Sequence, residues 1–186
     1  MMPESFIYCL EKVPDSEIEQ KTDVLISLEK LALKEEITSI YKSCDSIEGL
    51  EESILQLTKN DDNFKNYDII YFVLEGEGGN IIINDYTYSL QEIAELFEGR
   101  MRGKIIHFAN TKTLDITNED ARYLLDVTGA RAISGYGELN EISSTKNLDF
   151  DFFSLCYEFD DIIDVYNELN DSQGTLCKIL NFKLYY

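Results

Sequence analysis

Short apolar runs alternate along this chain with stretches in which apolar residues recur every three or four positions. The first pattern predicts buried strands and the second predicts helices. Strands are predicted at residues 6–10, 37–41, 68–74, 81–83, 104–109 and 131–136, with a last strand over 176–185. Helices are predicted at about residues 19–34, 45–57, 89–97, 117–128, 152–159 and 161–169.

Polar residues mark where several of these helices begin and end. Segments 45–48 and 89–92 are predicted to form capping boxes, and segment 117–120 is predicted to cap the helix that follows. Gly129 follows the helix that ends at Thr128 and is typical of a helix stop. The helix boundaries are therefore predicted from local chemistry as well as from periodicity.

The order of these elements indicates the fold class. Strands that alternate with helices favour a largely parallel sheet with helices on its faces. The run 68–74 is apolar almost throughout, so its strand is expected near the centre of that sheet. We expect an α/β three-layer sandwich with a mainly parallel central sheet that forms a single domain over residues 1–186.

Composition narrows the range of partners. Apolar residues make up 44% of the chain, enough for a sizeable core, and 36 acidic against 16 basic residues give a net charge of −20. This charge repels nucleic-acid phosphates, so a nucleic-acid binder is disfavoured. The acidic residues are spread along the chain, which favours a solvated surface. An acidic mimic of nucleic acid, occupying the basic groove of another protein, stays an alternative.

The chain has the features of a cytoplasmic protein. No apolar run is long enough for a membrane span, and residues 1–5 do not begin a signal peptide, so no membrane partner is expected. The four cysteines show no CxxC spacing, and there is only one histidine. We therefore expect free thiols, no zinc and, because no glycine motif for a nucleotide is present, no cofactor.

Two loops follow the carboxyl ends of predicted strands, where functional groups collect in parallel sheets. One strand ends at Glu75-Gly76, and another ends at Asn110-Thr111. A strand ending in His-Gly, a short hairpin, a helix and a strand ending in Ser-Cys form the pattern of caspase-like cysteine peptidases. This chain resembles the bacterial members of that group over about residues 5–160, where segment 128–136 is also similar. The resemblance implies a caspase-like fold.

The departures from this pattern determine the expected function. Glu75 stands where the family has its histidine base, and Thr111 stands where it has its nucleophilic cysteine. A threonine hydroxyl ionises far above a thiol, and a solvated glutamate, with a usual pKa of about 4.3, is a poor base for it. We therefore expect a pseudoenzyme that acts by binding a protein partner. An unconventional hydrolase or metal-dependent enzyme that uses Glu75 and Thr111 is the alternative.

Other candidate residues have simpler interpretations. Glu75, Glu77 and Asp85 are weak candidates for a Mg²⁺ or Ca²⁺ site, but a turn with solvated acids is favoured. His107 is expected to pack inside the sheet or to bond a backbone carbonyl. Five tyrosines are expected to be partly buried core residues rather than a functional patch; they are Tyr136, Tyr157, Tyr166, Tyr185 and Tyr186.

Overall fold

A computed structural model describes residues 6–14, 16, 20–110, 112–138 and 144–186. Nine strands and six α-helices lie within these residues. In chain order they are β1 (Phe6–Lys12), α1 (Asp23–Glu35), β2 (Thr38–Cys44), α2 (Ile47–Lys59), β3 (Tyr67–Val73), β4 (Gly76–Glu77), β5 (Asn80–Ile83), β6 (Tyr86–Ser89), α3 (Leu90–Leu96), β7 (Ile105–Phe108), α4 (Asn118–Thr128), β8 (Ala132–Tyr136), α5 (Lys146–Glu158), α6 (Ile162–Ile179) and β9 (Phe182–Tyr185).

Six strands form the main sheet, in the order β2-β1-β3-β7-β8-β9. The first five run parallel to one another, and β9 is antiparallel to β8. The predicted α/β class and mainly parallel sheet are thus confirmed, and β3 lies in the interior of the sheet as expected. The short strands β4, β5 and β6 form a separate antiparallel sheet.

The alternation of side chains along each strand divides the core into two halves. On β1, Ile7 and Cys9 pack with α1, α5 and α6, whereas Tyr8 and Leu10 pack with α2, α3, α4 and the β4–β6 sheet. Successive side chains of a strand point to opposite faces, so an uninterrupted apolar strand can serve both halves. The result is the three-layer arrangement that the sequence predicted.

Local chemistry explains most helix boundaries. The capping box of α3 is present as predicted, the predicted cap of α4 is itself a capping box, and Gly129 ends α4 with φ 72°. The capping box predicted at 45–48 is wrong. Ser46 is the N-cap of α2, but its side chain accepts from the amide of Gly49, which has no side chain to return the bond.

Several boundaries differ from the prediction. Helix α1 begins at Asp23 because Thr22 caps it, and α5 begins at Lys146, before the predicted start. The predicted last strand is wrong in its first half, where α6 continues to Ile179 and buries Cys177. Strand β9 starts only after Asn181, whose φ of 50° turns the chain. Within the described residues, no helix combines the length and apolarity needed to cross a bilayer.

Candidate functional site

The two predicted loops contact each other at the carboxyl edge of the sheet. The Gly78 amide donates to the Lys112 carbonyl at 2.9 Å, and the Gly79 amide donates to the Thr113 carbonyl at 3.1 Å. These backbone bonds join the turn between β4 and β5 to the connection between β7 and α4. The two segments are far apart in the sequence, and the parallel sheet brings them together at one edge.

Gly76 allows this contact. An added Cβ at this position would lie 2.5 Å from the Asn80 carbonyl oxygen and 2.5 Å from the Thr113 hydroxyl oxygen. The neighbouring Glu75 carbonyl accepts a hydrogen bond from the Ile82 amide at 2.8 Å, while its side chain is exposed. The backbone at the end of β3 is therefore closely packed, but the carboxylate of Glu75 faces solvent.

The loop after β7 has an unusual backbone. Asn110 and Lys112 adopt left-handed conformations, with φ of 72° and 71°. The Asn110 amide donates to Thr145 Oγ1 at 3.4 Å, and the Lys112 amide donates to the Gly137 carbonyl at 2.9 Å. Non-glycine residues with a left-handed backbone conformation carry strain that surrounding contacts must offset. Thr111 lies outside the described residues.

The weak candidates for a metal site do not converge. Glu77 lies opposite Asn80 at one end of the small sheet, whereas Asp85 lies in the turn beyond the Ile83–Tyr86 pair at the other end. About 10 Å of strand separates the two ends. Throughout the described ranges, no three side chains of histidine, cysteine, aspartate or glutamate are grouped so as to hold a metal ion.

The histidine of the chain lies in the core, three residues before the loop. His107 is fully buried, with Nδ1 2.7 Å from Ser134 Oγ and Nε2 2.6 Å from Asp149 Oδ1. Its predicted packing inside the sheet is confirmed. Of the two predicted environments, packing in the sheet is the one that the structure shows, and side chains of β8 and α5 bond both ring nitrogens.

Asp149 is the centre of this network. Besides His107 Nε2, its carboxylate accepts from the hydroxyls of Tyr136 at 2.5 Å, Tyr71 at 3.0 Å and Thr145 at 3.0 Å. Burial, followed by the charge of Asp149, holds the pKa of Tyr71 and of Tyr136 well above the usual value. Asp149 also lies in the first turn of α5, where the helix dipole favours a negative charge.

Sequence reasoning missed Asp149, although a signal was present. The residue lies between Leu148 and Phe152 on the buried face of α5. A carboxylate on an apolar face needs several hydrogen-bond donors, since burial of an unpaired charge is very costly. An aspartate at helical spacing with core residues is therefore a reason to search for buried partners.

Serine, histidine and aspartate are the residue types of a hydrolase triad, but this group does not form an active site. Ser134, His107 and Asp149 are each fully shielded from solvent. Asp149 bonds to Nε2 and Ser134 to Nδ1, which is the reverse of the usual triad. Substrate has no access to the serine, so the network joins α5 to the sheet instead.

The four cysteines are free thiols, as expected. Burial raises the pKa of Cys44 to about 11 and that of Cys156 to about 12. Burial also raises the pKa of Cys177, and it raises that of Cys9 well above the usual value. Because the thiolate is the nucleophile, none of these residues is activated near neutral pH.

The five tyrosines divide between core and surface. Tyr136 is fully buried, and Tyr157 and Tyr185 are partly buried, as expected. Tyr166 is 41% exposed and Tyr186 is 62% exposed, so the core interpretation is wrong for these two. Both lie in the C-terminal part of the chain, on α6 and just after β9.

An open cleft of about 500 Å³ lies beside the contact between the two loops. Its walls are the turn at Gly78–Asn80, the first residues of α3 and the segment that leads into α4. The N-cap hydroxyls of Ser89 and Thr117 are already bonded within their capping boxes. The side chains of Gln91 and Asp115 remain available in the cleft for an external group.

Residues 4–186 match the family described as "Family of unknown function (DUF6642)". The chain belongs to this family. The match includes both loops, the cleft and the buried network around His107, so all of these features lie within the region that defines the family. Among curated proteins, no match was found.

Proposed function

We propose that this DUF6642 protein is a caspase-like domain without peptidase activity, which acts by binding another protein at the sheet edge that carries the two loops. The order of elements supports this proposal. Strand β3 ends at Val73, shortly before Glu75, and the small antiparallel sheet β4–β6 and α3 follow; β7 ends at Phe108, shortly before Asn110. This is the order of strand, hairpin, helix and strand in caspase-like peptidases.

The burial of His107 is the observation that carries the proposal. A cysteine peptidase needs a histidine at the end of the strand equivalent to β3, and that position holds Glu75. The chain has only one histidine, which lies on β7 with both ring nitrogens bonded and no exposure to solvent. It cannot reach the loops without dismantling the core.

The thiols support the same conclusion. Cys44 and Cys156, the nearest cysteines on either side of the candidate loops in the sequence, belong to β2 and α5 and not to the edge. Their raised pKa values keep them protonated at neutral pH. A histidine–thiolate pair therefore has neither of its members at the position that the caspase-like pattern requires.

Exposed polar groups at this edge favour binding. Glu75 and Glu77 are exposed on the first loop, and Asp115 faces the adjoining cleft. A chain with net charge −20 attracts basic surfaces over long range. We infer a partner whose contact surface is basic. The free thiols fit a reducing compartment, so we place this binding in the cytoplasm.

The absence of peptidase activity is tested with the purified protein and a diverse mixture of peptides and proteins, read by mass spectrometry. Parallel samples contain Glu75→Gln, Thr111→Ala, or the wild type with added Mg²⁺ and Ca²⁺. We expect no cleavage in any sample. Cleavage by the wild type that disappears in either variant would instead establish a hydrolase that depends on Glu75 or Thr111.

The binding site is tested by placing a photo-activated crosslinking amino acid at Glu77 or, as a control, at Lys30 on the exposed face of α1. We expect one protein to be crosslinked from position 77 and not from position 30. The affinity of this partner for the wild-type protein is then measured by calorimetry. The double variant Glu75→Lys/Glu77→Lys should bind the partner more weakly. Equal crosslinking from both positions, or unchanged affinity, would contradict the proposed edge.

A further inference from the structure

The hydroxyl of Thr145 lies between the buried network and one of the candidate loops. Thr145 occupies the N-cap position of α5, where a threonine usually accepts a hydrogen bond from an amide two or three residues further on. In the described part of the chain, its side chain makes no such bond to α5. It donates instead to Asp149 Oδ2 at 3.0 Å and accepts from the Asn110 amide at 3.4 Å. The hydroxyl therefore joins α5 to the loop after β7.

Asp149 determines how this hydroxyl is oriented. A threonine hydroxyl has one hydrogen to donate and two lone pairs that accept. The amide of Asn110 can only donate, so the hydroxyl must present a lone pair to it and direct its hydrogen elsewhere. Asp149 Oδ2 accepts that hydrogen, and it is fixed in turn by the hydroxyl of Tyr71. The carboxylate thus holds the Thr145 hydroxyl in the orientation that the loop requires.

The start of the loop needs such a contact. Asn110 has a φ of 72°, a left-handed conformation that is costly for a residue with a side chain. The later part of the loop is held by the end of β8, because the amides of Lys112 and Leu114 each donate to its backbone at 2.9 Å. At Asn110, the contact from the amide is the bond to Thr145. Loss of the hydroxyl should therefore release the first residue of the loop and leave the bonds to β8 in place.

This loop in turn holds the turn between β4 and β5. The carbonyls of Lys112 and Thr113 accept from the amides of Gly78 and Gly79, and the exposed Glu77 directly precedes Gly78. A displacement that begins at Asn110 is therefore passed through backbone bonds to the turn that carries Glu77.

We propose that Asp149 and Thr145 are positioning residues for the binding edge: Asp149 orients the Thr145 hydroxyl, and that hydroxyl holds the backbone of Asn110. Neither side chain touches a partner directly, since Asp149 is fully buried and Thr145 is 5% exposed. The inference about the loop needs no partner, whereas the inference about affinity rests on the proposed function.

The position of the loop is tested by amide hydrogen exchange and nuclear magnetic resonance of the full chain. Thr145→Val removes the hydroxyl and keeps the shape of the side chain. We expect exchange at the Asn110 amide to become roughly tenfold faster, the change that the loss of one hydrogen bond produces, and the resonances of Asn110 and Lys112 to shift. Thr145→Ser retains the hydroxyl and should restore the wild-type values.

A double-mutant cycle tests whether Asp149 acts through Thr145. Asp149→Asn alone should also accelerate exchange at the Asn110 amide. In the Thr145→Val background, the same change should add little, because the hydroxyl that it orients is already absent. Effects on Asn110 that simply add would overturn the proposed order of action.

Thr128→Val is the matched control. Thr128 is also buried, and its hydroxyl also both donates and accepts, to the Leu124 carbonyl at 2.7 Å and from the Ala130 amide at 3.1 Å. It lies at the end of α4, on the opposite face of the sheet from α5. This variant should lose stability but leave the Asn110 amide unchanged. Equal acceleration at Asn110 in Thr128→Val and Thr145→Val, or none in Thr145→Val, would overturn the proposal.

The same variants are then tested for binding to the protein that is crosslinked from position 77. We expect Thr145→Val to raise the dissociation constant by roughly tenfold, with Thr145→Ser and Thr128→Val close to the wild type. A loop that shifts while the affinity stays constant would overturn the role of Thr145 in binding. The failure of any protein to crosslink would contradict the proposed function, and the measurements at Asn110 would still decide whether Thr145 and Asp149 position the loop.

Discussion

His107 Nε2 lies 2.6 Å from Asp149 Oδ1, and both side chains are fully buried between the sheet and α5. The two residues are 42 positions apart, on β7 and at the start of α5. Asp149 accepts three further hydrogen bonds from Tyr71, Tyr136 and Thr145. A single carboxylate thus joins three segments of the core to the N-terminal turn of one helix.

We expect Asp149→Asn to lower the free energy of unfolding by about 2–4 kcal/mol. The amide cannot accept four hydrogen bonds, and its NH₂ group directs donors toward hydroxyls that already donate. Urea unfolding followed by circular dichroism measures the loss. Asp151→Asn, on the exposed side of the same helix, is the control and should leave stability nearly unchanged. Equal effects of the two changes would argue against the buried network.

Stability should fall as the solution becomes alkaline. The pKa of Cys44 is raised to about 11 and that of Cys156 to about 12 by burial, from a usual value of 9.0. In the unfolded chain these thiols ionise near pH 9, whereas in the folded chain they stay protonated. Their contribution is therefore complete below pH 9 and is lost as the pH rises toward 11–12.

The measurement is urea unfolding at intervals from neutral to alkaline pH, compared with Cys44→Ala/Cys156→Ala. The variant should show a smaller decline above pH 9, since it lacks the two thiols. Part of the decline should persist in the variant, because burial also raises the pKa of Tyr71 and Tyr136. Identical pH profiles for the two proteins would show that the thiols do not contribute.

Gly76→Ala should loosen the contact between the two loops. The new methyl group would lie 2.5 Å from the Asn80 carbonyl oxygen, and we expect a cost of about 1–3 kcal/mol. Hydrogen exchange should accelerate at the amides of Gly79 and Ile82, which bond across this region. In Gly78→Ala the methyl group meets open space, so its cost is the left-handed backbone alone and exchange at Ile82 should not change.

Restoring the peptidase residues tests the proposed resemblance. In Glu75→His/Thr111→Cys, we expect the new cysteine to react with iodoacetamide at lower pH than in Thr111→Cys alone, because a neighbouring histidine stabilises the thiolate. The native thiols, with pKa values raised by burial, should react little in this range. Reactivity with the same pH dependence in both variants would mean that positions 75 and 111 are not paired.

Much of the fold was predictable because it depends on neighbours in the sequence. The apolar run that became β3 has side chains for both faces of a covered sheet, so its interior position follows from composition. The predicted caps at Ser89 and Thr117 involve residues only three apart, and both form. The alternating pattern at 176–179 wrongly predicted a strand, because Cys177 is buried there on a helix.

The candidate site was predictable only in part. The sequence indicated which loops follow the central strands, and the backbone bonds from Gly78 and Gly79 to Lys112 and Thr113 bring those loops into contact. The sequence did not indicate that Asp85 and Glu77 lie at opposite ends of the small sheet, because the distance between them depends on strand pairing.

Local patterns in the sequence alone determined the alternation of strands and helices, the parallel sheet that this implies, and the lack of a histidine or cysteine at positions 75 and 111. Only the tertiary structure decided the roles of His107 and Asp149, because the two residues interact only when β7 and α5 pack together. It also decided that β9 is the last strand in the order of the main sheet and lies near helix α4. Contacts between distant segments depend on how the layers pack, and periodicity along the chain does not encode that packing.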